Sequence, residues 1–436
     1  MLHVLIPSIS PFVIFFLGLF FVKKPKISLF DIYNIYGIGI VFYFTLNFLT
    51  NIINSLIIAS ILVIISIVKV IIMRPKLLLR IEFKTAIIIS IYLLLTLHLM
   101  LYIPVKDWDA SFIWYSAAKV MHYDGYLLDW VDGARYLIAA GYPKLIPLFS
   151  ASFSTVTGVW NELLPGSALF IFLIHTMIGF LAILSKLKIP LIFAILVFFS
   201  LGRFTWNFYM DGYVALYAGI SIFYLSTFLV QQRLGYLLAS ILSLAIVINI
   251  KNEGLLLTLS SFITMIFFYK KIEIYLKKKL YLIFSLLLLF LPFILWNLWL
   301  WKVGWGRGGA FGTNYLSLVL ERLDNELFLI INEIVFVKHN FHYLIFAFAA
   351  VIILMIIQRK KQLMYNSRIF PVILMILIYT LGLIFVYLGS TYGGSNYDGL
   401  KAHLDQSLNR VLFSVMTVAY VLIFILISNI KRNYLR

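Results

Sequence analysis

Two aspartates emerge directly after a long apolar run, in the stretch VKDWDASFIW from Val105 to Trp114. Asp107 and Asp109 flank Trp108, and a positioned carboxylate can act as a general base that takes a proton from a hydroxyl group. Cations stand at the ends of other apolar runs, at Lys251, Arg307 and Arg410. Such cations stabilise negative charge that develops on a leaving group, for example a phosphate. These residue types indicate a transfer reaction, provided that the fold brings them to one side of the molecule.

The composition decides what kind of fold must position them. The chain has 436 residues, of which 63% are hydrophobic and 12% charged, whereas a soluble domain is roughly a quarter charged. We therefore expect an integral membrane protein without a sizeable soluble domain. The absence of cysteine excludes disulfides and thiolate metal sites. The first apolar run, from about Leu5 to Val22, lacks a basic leader and a small-residue cleavage site, so we predict a retained helix.

A membrane-spanning helix needs about 20 apolar residues, because its backbone must satisfy its own hydrogen bonds in lipid. By this criterion the chain has thirteen predicted spans, at about 5–22, 30–50, 53–73, 85–104, 164–184, 189–204, 212–230, 235–250, 255–270, 280–300, 341–358, 369–389 and 411–429.

The predicted fold is an all-α polytopic membrane protein in three parts. Residues 1–104 form N-terminal spans, and residues 105–163 form a large loop with amphipathic interfacial helices. Residues 164–436 form a C-terminal bundle with further loops at 301–340 and 390–410.

The charges divide unequally between the two sides of this topology. One side receives 23 of the 35 Lys and Arg residues and 3 of the 17 acidic ones, which leaves 12 and 14 for the other side. Positive loops stay in the cytoplasm, so we predict a plasma (inner) membrane protein with a cytoplasmic C-terminus. The net charge of +18 is then a topology signal with some attraction to anionic lipid headgroups, and does not indicate nucleic acid. The acidic residues gather outside, which suggests an extracytoplasmic site.

The first outer loop is too apolar to float free in solvent. SFIWYSAAKVMHYDGY and YLLDWVDGARYLIAAG place apolar residues at helical spacing, as amphipathic helices in the headgroup region do. Residues 142–160 would invert the later charge pattern if they spanned the membrane. We therefore predict that they form an interfacial or a re-entrant helix.

Further polar groups stand at the predicted outer helix ends. Asp211 begins a span, where the helix dipole favours a carboxylate. Lys251 and Glu253 lie in a very short turn at the membrane edge, which is costly unless they are paired or used. Arg307 lies in the glycine-rich loop GWGRGGAFG, which lacks the lysine and the helix context of a nucleotide-binding loop.

One basic stripe leads into the last predicted span. His403, Ser407 and Arg410 fall at positions i, i+4 and i+7 of a predicted helix, and therefore on one face. With Lys251 and Arg307 they are candidate ligands for a donor phosphate. Candidate substrate-binding residues are Glu253, Trp108 and Tyr142.

The motifs WDASFIW, YPKLIP, MDGYVAL, KNEG and AHLDQSLNRVL, in this order, resemble those of bacterial polytopic glycosyltransferases of the GT-C fold. These are relatives of protein O-mannosyltransferases and of the transferases that add aminoarabinose to lipid A. The resemblance covers roughly residues 85–430. It implies a polyprenyl-phosphate-linked sugar as donor, an external active site and an acidic residue in the first large outer loop.

Position by position, the resemblance makes Asp109 the general base and Asp211 the second acidic residue. It assigns Arg410 and His403 to the donor phosphate. Two departures stand out: the acidic loop follows the fourth predicted span, where the family often has it after the first, and the family's DE pair is absent. The choice between Asp107 and Asp109 therefore stays open, as does a divalent metal held by acidic residues.

The sequence-based expectation is thus a membrane glycosyltransferase with a lipid, glycan or protein acceptor. A polymerase or ligase of lipid-linked glycans would share the outer site but use a diphosphate-linked donor. A transporter or flippase of lipid-linked sugars would need ionisable residues near the bilayer midplane and repeated halves, and the sequence has few of the former and no evident repeat.

Overall fold

The computed structural model describes residues 2–78, 81–127, 141–278, 280–304, 315–358, 368–390 and 397–434. These residues are predominantly helical and form two compact units. The first unit comprises Met1–Tyr213 and Leu287–Trp305, and the second comprises Val214–Leu286 and Gly306–Arg436. The first unit thus takes in both the predicted N-terminal spans and the predicted large loop.

The helices of the first unit are α1 Leu2–Leu19, α2 Leu29–Leu49, α3 Ile52–Met73, α4 Phe83–Tyr102, α5 Ser116–Asp124, α6 Leu145–Thr157, α7 Leu169–Leu187 and α8 Phe193–Leu201. A π-helical turn at Ala110–Tyr115 leads directly into α5. Helix α9, Asp211–Gln231, begins in this unit and continues into the second. Two short parallel strands, β1 Lys26–Ile27 and β2 Lys76–Leu77, pair with Lys26 opposite Lys76.

The second unit continues with α10 Leu234–Val247, α11 Glu253–Phe267, α12 Tyr269–Lys278, α13 Leu280–Lys302, α14 Tyr315–Asn325, α15 Leu327–Asn332, α16 His339–Gln358, α17 Ile369–Leu388, α18 Tyr397–His403, α19 Asn409–Val411 and α20 Phe413–Tyr434. Helix α13 ends in the first unit. Two π-helical turns, Glu333–Val337 and Leu404–Leu408, follow α15 and α18.

Among the described residues, seven helical stretches are long and apolar enough to cross a membrane. They are Leu29–Leu49, Ile52–Met73, Phe83–Tyr102, Leu164–Leu187, Asp211–Gln231, Ile369–Leu388 and Asp398–Asn429. They coincide with seven predicted spans, and they fit an all-α multi-pass membrane protein. The remaining six predicted spans, and hence the total of thirteen, stay a prediction.

Helices α1 and α2 approach each other closely through two glycines. A Cβ atom at Gly18 would lie 1.7 Å from the carbonyl oxygen of Ile35, and one at Gly39 would lie 2.1 Å from that of Ile14. Small residues allow this kind of backbone approach between membrane helices. The pair therefore sets how α1 packs in the first unit.

A lysine of α3 caps the C-terminal end of α1, which precedes the segment KKPK at residues 23–26. Lys69 donates from Nζ to the carbonyl oxygens of Leu19, Phe20 and Val22 at 3.1, 3.1 and 2.7 Å. The last carbonyls of a helix have no partner within the helix, and a cation is favoured beside them. A residue that the sequence marks only as an inner-side charge thus also fixes one helix to another.

The predicted outer-loop helices are present where the structure describes them. Helix α5 buries Ala117, Ala118 and Met121 and exposes Lys119, as an amphipathic helix should. Most of the second predicted helix lies outside the described residues. Helix α6 has only 13 residues, and residues 145–154 are all buried. Because an interfacial helix keeps one face exposed, α6 fits the re-entrant alternative better.

We expect Gly39→Ala to lower the free energy of unfolding by about 1–3 kcal/mol, because the added methyl group overpacks the α1–α2 contact. The control is Gly166→Ala, where the nearest atom, the carbonyl oxygen of Met100, is 3.6 Å from the added Cβ. Thermal unfolding of the detergent-solubilised protein measures both. Equal midpoints for the two variants would show that the close approach does not stabilise the fold.

Candidate active site

Asp107 ties the first outer segment to the turn before α9. Its Oδ2 accepts a hydrogen bond from Asn207 Nδ2 at 2.6 Å, and its Oδ1 lies 3.4 Å from Arg203 Nη1. Its carbonyl oxygen accepts the backbone N–H of Ser111 at 2.8 Å, at the start of the π-helical turn. Both oxygens of the carboxylate therefore join two segments that are about a hundred residues apart. This arrangement is typical of a positioning residue.

Asp109 lies directly before the π-helical turn and is half-buried. Its neighbour Trp108 is 49% exposed and packs against Phe112, with ring centroids 5.6 Å apart. The next residues inward, Ala110 and Trp114, are almost fully buried. Asp109 thus stands at the boundary between a packed core and an accessible rim. π-helical turns of this kind are frequent at functional sites.

The third candidate carboxylate, Asp211, is only 4% exposed and opens α9. The segment before it is tightly fixed. A Cβ at Gly212 would lie 2.2 Å from the carbonyl oxygen of Phe204, and the hydroxyl of Tyr213 donates to the carbonyl oxygen of Thr205 at 2.7 Å. The turn that holds Asp107 therefore also leads directly into Asp211.

Tyr142 and its neighbour Lys144 precede α6. The Tyr142 ring meets the buried Trp114 edge-on, with centroids 5.4 Å apart. Lys144 is fully buried, and this burial lowers the pKa of its ammonium group to about 7. Lys144 is not among the candidates from the sequence, because nothing in the motif YPKLIP separates a buried lysine from an exposed one.

In the second unit, Lys251 and Glu253 form an ion pair, with Nζ 3.0 Å from Oε1. The turn that carries them is tight: a Cβ at Gly254 would lie 2.2 Å from the carbonyl oxygen of Val247, so the second residue of α11 must be glycine. Lys251 is 8% exposed. Charges in so short a turn at the membrane edge are costly unless they are paired or used, and here they are paired.

A buried arginine of α14 closes the end of α17. Arg322 Nη1 donates to the carbonyl oxygens of Tyr387, Leu388 and Ser390 at 3.3, 3.2 and 2.7 Å, and its Nε lies 3.0 Å from Glu326 Oε2. The residue is only 2% exposed. The guanidinium group therefore donates to carbonyl oxygens at the end of this helix and just beyond it, where helix carbonyls commonly need partners from outside the helix.

This capped end of α17 holds the ring of His403. Its Nδ1 lies 3.0 Å from Ser390 Oγ, and its ring packs on that of Tyr387 with centroids 5.0 Å apart. The hydroxyl of Tyr387 in turn lies 2.9 Å from Ser407 Oγ, one turn farther along the predicted stripe. His403 and Ser407 thus share a face, as the spacing predicts.

Three basic residues lie near this histidine. Arg322, Lys251 and Arg410 are all close enough to the His403 ring to interact with it electrostatically. We call Lys251, Arg322, His403 and Arg410 the cation cluster. Glu253 and Glu326 offset the charges of Lys251 and Arg322, and the remaining surplus of basic groups favours an anion at this place.

The remaining sequence-based candidates are less defined. Arg307, with most of its glycine-rich loop, lies outside the described residues. In the part of the chain that the structure describes, no group of three or more His, Asp or Glu side chains could hold a metal ion. Arg203, Asn207 and Arg322 were missed, since their partners are far away in the sequence.

We expect the stability of the protein to rise between about pH 7 and pH 10, to an extent that depends on Lys144. The pKa of Lys144 is lowered in the folded chain, so over this range the unfolded chain binds more protons than the folded chain. Raising the pH therefore disfavours the unfolded chain, and the free energy of unfolding increases. In Lys144→Met this contribution disappears, so the variant should gain less stability than the parent protein over the same range. Thermal midpoints measured at several pH values test this, and parallel curves would contradict it.

We expect Arg322→Met to lower the free energy of unfolding by about 3–5 kcal/mol, because it leaves a buried carboxylate without its partner. The double variant Arg322→Met, Glu326→Leu should recover part of this loss, since neither charge then remains. Denaturation of the purified variants measures both effects. A double variant that is as unstable as the single one would show that the ion pair is not the cause.

Comparison of the chain with family models, with curated proteins and with solved structures finds no match. The resemblance to GT-C glycosyltransferases therefore depends on the order of the short motifs. A function must be argued from the side chains and their geometry.

Proposed function

We propose that this chain is a membrane glycosyltransferase. In this proposal it transfers one sugar from a polyprenyl-phosphate donor to the hydroxyl group of an acceptor on the extracytoplasmic side of the plasma (inner) membrane. The acceptor is a lipid, a glycan or a protein. The C-terminus lies in the cytoplasm, as the charge asymmetry predicts.

The observation that carries the proposal is the cation cluster of the second unit. Its members come from three separate segments, on both sides of α17 in the sequence, and three of the four residues were selected from the sequence as phosphate ligands. Arg322 is committed to the end of α17, so its contribution is to position Ser390 and His403. Lys251 and Arg410 are the cations that we assign to the donor phosphate. Arginine suits this task because its planar fork matches the geometry of phosphate oxygens.

Asp109 is the general base in this proposal. It takes the proton from the acceptor hydroxyl, whose oxygen then bonds to the anomeric carbon of the sugar. The bond between that carbon and the phosphate oxygen breaks, and the electron pair leaves with the prenyl phosphate, which Lys251 and Arg410 stabilise. Asp107 is the weaker candidate for the base, because both its oxygens hold Asn207 and Arg203. Asp211, Glu253, Trp108 and Tyr142 remain candidates for binding the sugar or the acceptor.

The choice of a monophosphate donor follows from the same motifs, and two alternatives are left for experiment. A polymerase or ligase would accept a diphosphate-linked glycan. A transporter would move the lipid-linked sugar without forming a new glycosidic bond. A divalent metal is not required by the proposed step.

We expect Asp109→Asn to lower kcat by a factor on the order of 10²–10⁴, because the amide cannot take the proton. The matched control Asp107→Asn should change stability more than kcat. Arg410→Gln should raise KM for the donor about tenfold or more, since it removes a charge-assisted hydrogen bond. The assay follows labelled sugar from synthetic polyprenyl-phosphate donors to extracted acceptors.

Undiminished transfer by Asp109→Asn would reject this base. Transfer from polyprenyl-diphosphate glycans alone would favour the polymerase or ligase. Movement of the labelled lipid across a vesicle membrane without a new bond would favour the transporter.

A further inference from the structure

A cavity in the first unit opens between α1, α3 and α6. Its volume is about 370 Å³, and its wall consists mainly of aliphatic and aromatic side chains. The hydroxyl groups in this wall are Tyr43, Ser10, Ser60 and Ser152. Each is turned to a partner within the protein: Tyr43 donates to Ser152 Oγ at 2.7 Å, and the three serines donate to backbone carbonyl oxygens of their own helices. The cavity therefore presents hydrocarbon to whatever enters it.

A cavity with such a wall is a poor site for water, which needs two or more polar partners. Its volume falls within the range of roughly 300–1,000 Å³ that is typical of pockets for small molecules. No charged side chain is among its described lining residues. The occupant that fits this wall is an uncharged apolar chain.

The position of the cavity identifies where such a chain would come from. Helix α3 is one of the stretches that can cross a membrane, and only 11% of its apolar stretch is buried. It contributes Leu56, Ala59 and Ser60 to the cavity wall, and its Ile57 and Ile61 are exposed beside them. The cavity is therefore continuous with a surface that faces the lipid hydrocarbon.

We propose that this cavity binds one acyl chain of a bilayer phospholipid and leaves the headgroup outside. A polyprenyl phosphate whose chain enters the cavity is the competing occupant, and the identity of the retained lipid in the experiment below separates the two. The bound chain packs against Phe149 and Phe153 of α6. It thereby stabilises the helix that follows Tyr142 and Lys144. This site is independent of the proposed function.

Ser60→Phe should fill the cavity, and Ile64→Phe is the matched control on α3, since Ile64 is 61% exposed and is not part of the wall. Native mass spectrometry of the protein in mild detergent should find one phospholipid on the parent chain and on Ile64→Phe, and none on Ser60→Phe. Adding phospholipid to the delipidated protein should raise the thermal midpoint in the same two cases only. Retention of the lipid by a folded Ser60→Phe, or a retained lipid that proves to be a polyprenyl phosphate, would overturn the proposal.

A second measurement needs no variant. A phospholipid with a photoreactive group near the end of one acyl chain is incorporated into membranes that contain the full chain. Cross-links should concentrate on wall residues of α1 and α6, such as Ile9 and Phe153. Cross-links spread evenly over the exposed helix faces would reject a defined site.

Discussion

The buried guanidinium group of Arg322 determines much of the geometry of the second unit. It donates to three carbonyl oxygens where α17 ends, in a place where buried backbone groups need hydrogen-bond partners from the protein. Tyr387 and Ser390, whose carbonyls it holds, are also the residues that contact the ring of His403. A cation that serves the backbone thus also positions a candidate phosphate ligand. The position of His403 in the cation cluster therefore depends on this capped helix end.

In the first unit a side chain of the opposite charge, Asp107, also orders the neighbouring backbone. Asp107 accepts hydrogen bonds from Asn207 and lies beside Arg203, and so fixes the segment that carries Asp109 to the turn that leads into Asp211. In both units a charged side chain orders the backbone next to another residue that is a better candidate for chemistry. In the first unit this polar contact adds to the apolar packing of Ala110 and Trp114 in the same segment.

The sequence predicts those features that depend on local pattern. Apolar runs of about 20 residues locate the seven spans that the structure supports, and helical spacing predicts α5 and the face shared by His403 and Ser407. The Lys251–Glu253 pair follows from the cost of isolated charge in a short turn. The capping role of Arg322 could not be found in this way, because the carbonyl oxygens that it binds lie 65 or more residues away in the sequence. For residues 142–160 the sequence left an interfacial and a re-entrant helix open. The hydroxyl-rich stretch SASFSTVT does not reveal that most of α6 is buried, because the residues that cover it are distant in the sequence.

The proposed function requires that Asp109 and the cation cluster both face the extracytoplasmic side of the membrane. Because the chain contains no cysteine, single cysteines can report this directly in intact cells. A membrane-impermeant maleimide should label Asp124→Cys and Lys401→Cys from outside, whereas Lys23→Cys should react only after the membrane is opened. The contradicting result is that Asp124→Cys is labelled from outside whereas Lys401→Cys is labelled only after the membrane is opened. The proposed base and the proposed phosphate ligands would then lie on opposite sides of the membrane.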